Sequence, residues 1–207
     1  MTDPSTPVAG DADGNLYAPP AAQIRETSAR PDDAAPFYIV STAKVAVLTF
    51  ATFGLYPLYW FWRHWQMHKL QAKQDIWPVP RAIFSVFFAH ALFNEIDHQL
   101  DRRQVRWGWS PGLWATLYVI AVIASRIADR LPEEVVSAEA TMAVMFAALV
   151  AVVLSLTRAQ RAANLACGDG NAEVNRGFTW ANWIWIVLGG LFWLLIGVGM
   201  MLPEESQ

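Results

Sequence analysis

The sequence predicts an all-α membrane protein: a bundle of about four transmembrane helices plus one interfacial or re-entrant helix, preceded by a disordered N-terminal tail. Three observations support this fold class. Long apolar stretches occupy residues 44–62, 112–128, 140–157 and 180–202. The chain is 55% hydrophobic and 16% charged, whereas soluble domains carry about 25% charged residues. Helices of these lengths reach, or nearly reach, across a hydrocarbon layer of about 30 Å.

Residues 1–36 differ in composition from the rest of the chain. They are rich in Pro, Ala, Asp, Gly and Ser and hold few bulky apolar side chains, which is typical of disordered segments. Six acidic and two basic residues make this tail acidic, so its charge does not support a nucleic-acid partner. It has no basic start followed by an apolar core and a cleavage site, so we expect no cleaved signal peptide. We expect a helical transmembrane domain at residues 37–203 and a short acidic tail at residues 204–207.

The first predicted span, residues 44–62, contains a Gly-Leu-Tyr-Pro sequence from Gly54 to Pro57. Proline cannot donate a backbone hydrogen bond and crowds the preceding helical turn, so the sequence predicts a kink at Gly54/Pro57. Four aromatic residues between positions 59 and 62, followed by Arg63 and Lys69, are typical of the point where a helix leaves the membrane.

Residues 81–97 are harder to assign. Their apolar part, residues 82–93, would extend only about 18 Å as a helix. A longer span would bury Glu95, Asp97 and Asp101, each at a cost of about 2.5–3.5 kcal/mol near the centre of the membrane. This favours an interfacial or shallow re-entrant helix. A short span supported by neighbouring helices is the alternative.

The later spans carry clear terminal signals. Ser110-Pro111 is a helix start, Gly168 is a helix stop, and Thr179 is a candidate N-cap for the last span. Small residues recur on two of these spans, either as a seam for close helix packing or by chance in an Ala-rich helix. The predicted packing residues are Ala143, Ala147, Ala151 and Ser155 on the third span, and Gly189 and Gly197 on the last.

The distribution of Lys and Arg among the connections predicts how the chain is oriented in the membrane, because these residues accumulate in short cytoplasmic connections. With four crossings, the connections after the first and third spans lie on the same side. Their cations are Arg63, Lys69, Lys73, Arg81, Arg102, Arg103, Arg106, Arg158, Arg161 and Arg176. The sequence therefore predicts that both termini lie outside the cytoplasm.

Three stretches carry a family resemblance: residues 52–62 (Thr-Phe-Gly-Leu-Tyr-Pro-Leu-Tyr-Trp-Phe-Trp), residues 80–84 (Pro-Arg-Ala-Ile-Phe) and residues 175–190, with Asn182 and Gly189-Gly190. The chain resembles small, uncharacterised bacterial inner-membrane proteins of the domain-of-unknown-function type. These share a Gly-Leu-Tyr-x-x-Tyr-Trp exit from the first span and a Pro-x-Arg-Ala-x-Phe element. The resemblance implies a fold and a location in the bacterial inner membrane, and it implies no activity or site residue.

Three groups of polar residues are candidate sites, and the alternative is a polar helix face without a site. That face would carry His90, Asn94, Asp97, His98 and Asp101. His98, with Glu95 or Asp101 to polarise it, could act as a general base. Arginines near the interface could bind a lipid phosphate; they are Arg81, Arg102, Arg103 and Arg106. His64 and His68 have the i, i+4 spacing of metal ligands, but no Glu follows His64 as in a metalloprotease helix. We therefore expect no metal and no cofactor.

These features leave three function classes open. A non-enzymatic scaffold or partner-binding protein fits the small-residue seam and the lack of charged residues within the predicted spans. A small transporter or channel would need ionisable groups or broken helices at mid-depth, and only Gly54/Pro57 suggests a break. A membrane enzyme acting on a lipid-type substrate would use the segment from His90 to Arg106. The expected partners are the lipid bilayer and a second copy of the chain or another membrane protein.

Overall fold

A computed structural model describes residues 35–201, with side chains up to residue 199, and this part of the chain is helical without β-strands. The helices are α1 (Thr42–Ala51), α2 (Tyr56–Ala72), α3 (Pro78–Ile83), α4 (Ser85–Arg102), α5 (Pro111–Ala128), α6 (Ala138–Cys167) and α7 (Trp180–Met201). The all-α prediction is confirmed for these residues. Three helices are long and apolar enough to cross a membrane: Pro111–Ala128, Ala138–Cys167 and Trp180–Gly199. The predicted tails lie almost entirely outside the described residues.

Helix α6 is the centre of the bundle and packs against α5, α1 and α4. Its buried face is built from small residues, including Ala148, Ala159 and Ala163, which let neighbouring backbones approach closely. We call the C-terminal end of α6, which carries Arg158 and Arg161, the basic end of the bundle. The connection between α5 and α6, residues 129–137, lies at the opposite end.

The predicted first span is not one continuous helix. Helix α1 ends at Ala51 and α2 begins at Tyr56, and the turn between them has positive φ at Phe53 (52°) and Gly54 (81°). The Thr52 hydroxyl donates to the Leu48 carbonyl at 2.7 Å and accepts from the Tyr56 amide at 2.9 Å. The second bond gives a partner to a backbone amide at the start of α2, where amides have no acceptor within their own helix, and the Leu48 carbonyl also accepts from the Thr52 amide at 3.0 Å. The predicted kink at Gly54/Pro57 is thus a complete helix break.

The chain on either side of this break returns to the same end of α6. Val40, just before α1, is bonded through its backbone to Asn164 at the basic end. The break lies further along α6, where the Phe50 and Phe146 rings are 6.1 Å apart. Helix α2 then leads back to His64, which contacts Gln160 at 3.2 Å. Helices α1 and α2 therefore form a hairpin that is open toward the basic end, which corrects the expectation of one crossing over residues 44–62.

Helices α3 and α4 form a second hairpin with its bend at Phe84. The Arg103 guanidinium at the end of α4 lies against Gly168, the C-cap of α6. The start of α4 lies halfway along α5, because Ser85 and Tyr118 share a hydrogen bond of 2.8 Å. Ile83, Phe84 and Phe87 at the bend are exposed apolar side chains.

Helix α7 has the fewest contacts with the rest of the chain. It packs mainly on α1, and only 6% of its apolar stretch is buried. Thr179 is the predicted N-cap: its hydroxyl accepts from the Asn182 amide at 3.4 Å, and the Asn182 side chain accepts from the Thr179 amide at 3.0 Å. An apolar helix with so little cover within the chain has its surface available to lipid or to another helix.

Candidate functional site

The basic end contains a buried hydrogen-bonded cluster, which we call the polar clasp: Trp60, His64, Gln160 and Asn164 with the backbone of residues 38–40. The Gln160 amide nitrogen donates to the Tyr38 carbonyl at 2.9 Å and to Asn164 Oδ1 at 2.8 Å. Asn164 in turn donates to the Val40 carbonyl at 2.9 Å. The side chains of Trp60, His64 and Gln160 are fully buried. The clasp fixes the extended segment before α1 onto the end of α6.

The hydrogen bonds of the clasp set the tautomer of His64. Gln160 Oε1 accepts from Trp60 Nε1 at 2.6 Å, so His64 Nε2, 3.2 Å from the same oxygen, is also a donor. His64 Nδ1 is then an acceptor, and no described group donates to it. Burial lowers the pKa of His64 from 6.5 to about 3, although the bond to Gln160 acts in the opposite direction. His64 is therefore a neutral structural residue at physiological pH.

His68 lies one turn after His64, and its ring stacks on Phe37 with centroids 5.8 Å apart. Burial lowers the pKa of His68 as well; Glu95 opposes this effect, while Arg81 and Arg102 add to it. Within residues 35–201 no group of three or more His, Cys, Asp or Glu side chains is placed to hold a metal ion.

The candidate general base and its partners do not form a joined site. His98 and Asp101 are exposed on α4, and Glu95 is half-buried. Among the described residues no hydrogen bond or ion pair connects His98 to either carboxylate. The nearby Asp97 instead accepts from Trp109 Nε1 at 2.8 Å, which fastens the chain after α4 back onto the helix.

The four candidate headgroup arginines are dispersed over the basic end. The Arg81 guanidinium lies over the Trp65 ring, 4.4 Å from its centroid, and Arg103 lies against Gly168. Arg102 donates weakly to Gln99 at 3.5 Å, and Arg106 is exposed. Two of the four, Arg81 and Arg103, are thus packed against the chain, and Arg81 and Arg102 both lie close enough to His68 to lower its pKa.

The predicted packing residues fall in different environments. Ser155 is buried and donates to the Trp114 carbonyl of α5 at 2.6 Å, and Ala151 is half-buried. Ala143 and Ala147 are exposed. The buried face of α6 passes through Ala148 instead of Ala147, so the predicted seam is displaced by one residue in its first half.

On the last span, Gly189 and Gly197 also differ. A β-carbon at Gly189 would collide with the backbone of Ala51, whereas one at Gly197 would meet no other atom within 4 Å. Gly189 is therefore a packing contact, and Gly197 borders open space.

The half of the bundle away from the basic end holds a cavity of about 960 Å³. Both hairpins reach it with their turns, and α5, α6 and α7 supply the other walls. Apolar wall residues include Phe53, Leu58, Met145 and Trp193. Polar side chains are few: Ser85 and Tyr118 by the α4 start, Ser125, and the charged Arg126, Asp129 and Glu139. A large apolar space with few polar groups is suited to an amphipathic molecule.

Sequence reasoning missed the residues that build this site. Gln160 and Asn164 were not among the predicted site residues, although their i, i+4 spacing places them on one helix face. Arg126, at the end of α5, was not among them either. The cavity was also missed, because it depends on the chain reversals near Gly54 and at Phe84. Hydropathy shows that a segment is apolar but not in which direction the chain turns.

Comparison of this chain with family models, with curated proteins and with solved structures found no match.

Proposed function

We propose that this chain is a non-enzymatic, multi-pass membrane protein that binds an amphipathic membrane component in its large cavity. The observation that carries the proposal is the cavity of about 960 Å³ between the turns of the two hairpins and helices α5, α6 and α7. This volume lies near the upper end of the range of about 300–1,000 Å³ for small-molecule sites. His98 and Asp101 are exposed, Glu95 is half-buried, and in the part of the chain that the structure describes no hydrogen bond or ion pair connects His98 to either carboxylate, which gives less support to the membrane-enzyme alternative.

In this proposal α5, α6 and α7 cross the membrane, and both hairpins are re-entrant. The turn at Phe53-Gly54 has its backbone hydrogen bonds satisfied locally, and the bend at Phe84 carries exposed apolar side chains, as a turn at membrane depth requires. Most cations of the described connections then share the basic end, which the positive-inside rule assigns to the cytoplasm. The location in a bacterial inner membrane rests on the family resemblance.

Three crossings change the expected orientation of one terminus. The N-terminal side of the chain lies in the cytoplasm and the C-terminal side outside, instead of both termini outside. A Cys167→Ser background makes this testable, because Cys167 is the single cysteine. With an impermeant maleimide on spheroplasts, Ser206→Cys should be labelled, whereas Ser5→Cys should be labelled only after permeabilisation. Labelling of both in intact spheroplasts would restore the first expectation.

A lipid carrying a photoactivatable group on one acyl chain tests binding in the cavity. The full chain is reconstituted with this lipid, irradiated, and mapped by mass spectrometry. Binding in the cavity predicts preferential labelling of wall residues such as Met145. Non-specific contact with bulk lipid predicts the reverse, because Leu194 and Leu195 on α7 are more exposed, at 67% and 69% against 41% for Met145. Labelling that follows exposure alone contradicts the proposal.

A small transporter is the second candidate, and the two interrupted hairpins favour it. Transporter sites lie where broken helices meet near mid-depth, and the turns at Gly54 and Ser85 both border the same cavity. The wall groups near these turns, Ser85 and Tyr118, are neutral and bonded to each other. Flux of a labelled lipid or amphipathic solute across proteoliposomes would favour transport over binding alone.

Scaffolding of another membrane protein, or of a second copy of the chain, remains a prediction. The sparse cover of α7 and the exposed position of Ala147 on α6 leave helix surface available for it. Crosslinking in membranes followed by mass spectrometry would identify such a partner.

A further inference from the structure

A second, smaller cavity lies beside the large one. Its volume is about 370 Å³, and its walls come from the start of α4 and the end of α5. Val86, Val122 and Arg126 line both cavities. The two spaces are therefore adjacent, with one arginine common to both.

The walls of both cavities are mostly apolar and contain few polar side chains. The smaller is lined by Val86, Val122, Ile123, Ile127 and Leu131, with Arg126 and Arg130 as its polar members. The larger has charged groups only in Arg126, Asp129 and Glu139, which belong to the end of α5, its C-cap and the first turn of α6. The charges of both cavities thus come from one end of the bundle, while the turns of the hairpins supply an uncharged part of the larger cavity.

The charged end shared by the two cavities has two cations and two carboxylates. In the described part of the chain none of Arg126, Arg130, Asp129 and Glu139 forms an ion pair. Arginine binds phosphate with several parallel hydrogen bonds, and carboxylates favour an ammonium group. A ligand with one phosphate and one amine would match all four charges, whereas a purely anionic headgroup would lie beside two carboxylates without compensation.

We propose that the paired cavities bind one two-chain phospholipid with a phosphoethanolamine headgroup, one acyl chain in each cavity. The phosphate lies between Arg126 and Arg130, and the ammonium group lies toward Asp129 and Glu139. The valines that border both cavities separate the two chains. This inference rests on the proposed function, to which it adds the number of chains and the chemistry of the headgroup.

Native mass spectrometry of the purified full chain in detergent tests the headgroup. The probes are phosphatidylethanolamine, phosphatidylglycerol with the same chains, and single-chain lysophosphatidylethanolamine. We expect phosphatidylethanolamine to bind about tenfold more tightly than either of the other two lipids. Phosphatidylglycerol lacks the ammonium group and its charge-assisted hydrogen bonds, and lysophosphatidylethanolamine lacks one buried acyl chain; each loss is worth at least this factor. Arg126→Gln with Arg130→Gln should remove most binding of both two-chain lipids. Asp129→Asn with Glu139→Gln should remove the preference while retaining binding.

Arg106→Gln is the control for charge, because it removes one cation at the basic end, away from both cavities. It should leave affinity and preference unchanged. Equal binding of phosphatidylethanolamine and phosphatidylglycerol to the unmodified chain, or a preference that persists in the Asp129/Glu139 variant, would overturn the headgroup assignment.

A second pair of variants tests the cavity independently of the headgroup. Gly197 lines the large cavity and Gly190 does not, and a β-carbon at either meets no neighbour within 4 Å. Gly197→Leu should place a side chain inside the cavity and lower lipid binding about tenfold, whereas Gly190→Leu should not. If Gly197→Leu reduces binding but the charge variants do not alter the preference, the headgroup assignment is wrong and the proposed function stands. If Gly197→Leu changes the binding of no lipid, the proposed function fails as well.

Discussion

Gly189 of α7 lies directly against the backbone carbonyl of Ala51 at the end of α1. A β-carbon at this position would collide with three backbone atoms of Ala51. Next to this contact the Phe50 and Trp193 rings stack with centroids 4.8 Å apart, and Trp193 Nε1 donates to the Phe50 carbonyl at 3.3 Å. Helix α7, which has little other support, is held at the point where α1 breaks.

Gly189→Ala should therefore loosen α7. Backbone atoms cannot move aside as a flexible side chain can, and overpacking costs about 1–3 kcal/mol. For a chain of this size the midpoint of thermal unfolding in detergent should fall by about 2–12 °C. Gly190→Ala is the matched control, because a β-carbon there meets nothing within 4 Å. Equal midpoints for the two variants would show that α7 is not held by this contact.

Gln160→Ala should destabilise the basic end strongly. It leaves Trp60 Nε1, His64 Nε2 and the Tyr38 carbonyl without their partner, and each unsatisfied buried group costs about 1–3 kcal/mol. We expect the largest loss of thermal stability among single polar-to-alanine variants of the described helices, measured by the unfolding midpoint in detergent. Gln74→Ala removes an exposed side chain and should have no measurable effect. A small loss at Gln160 would mean that the clasp is replaced by water.

Stability should fall as the pH is lowered through the range set by His64. Its pKa in the folded chain is about 3, below the ordinary value of 6.5. Between these values the unfolded chain binds a proton that the folded chain excludes, so the free energy of unfolding rises with pH over this range and this group adds no further dependence above it. His64→Gln should reduce the difference between the unfolding midpoints at pH 7.5 and pH 5. His98→Gln, at an exposed position, should not; an unchanged difference in the His64 variant would contradict the assignment.

Two alanines on α6 separate folding from self-association. Ala159 is fully buried and lines neither cavity, whereas Ala147 is exposed, so Ala159→Leu should destabilise the monomer by overpacking. Ala147→Leu should leave its stability unchanged. If copies of the chain associate through this face, Ala147→Leu should lower the crosslinked dimer fraction in membranes. An unaltered dimer fraction would exclude Ala147 from any such interface.

Several local features could be predicted because they depend on nearby residues alone. Ser110-Pro111 begins α5, Gly168 ends α6 with φ of 82°, and Thr179 caps α7. The helix break near Gly54 was also encoded locally. These signals reflect backbone chemistry at helix ends, which is independent of the rest of the fold.

The path of the chain between these features could not be predicted in the same way. Residues 44–62 are apolar enough to resemble a crossing, and only contacts with distant residues reveal that α2 returns beside Gln160. The packing seam was displaced for a similar reason: Ala143 and Ala147 have the correct spacing, but α5 and α1 select the adjacent face through Ala148. Spacing identifies a possible face, whereas the neighbouring helices determine which face is used.

The polar clasp also constrains the order of events during synthesis. Val40 bonds to Asn164, which is 124 residues later in the chain. At a translation rate of about 5–20 residues per second, the ribosome needs about 6–25 s to make the intervening segment. During that interval the α1–α2 hairpin has been synthesised without the α6 partners that hold it. The N-terminal half of this protein can therefore reach its final position only after its C-terminal half has been made.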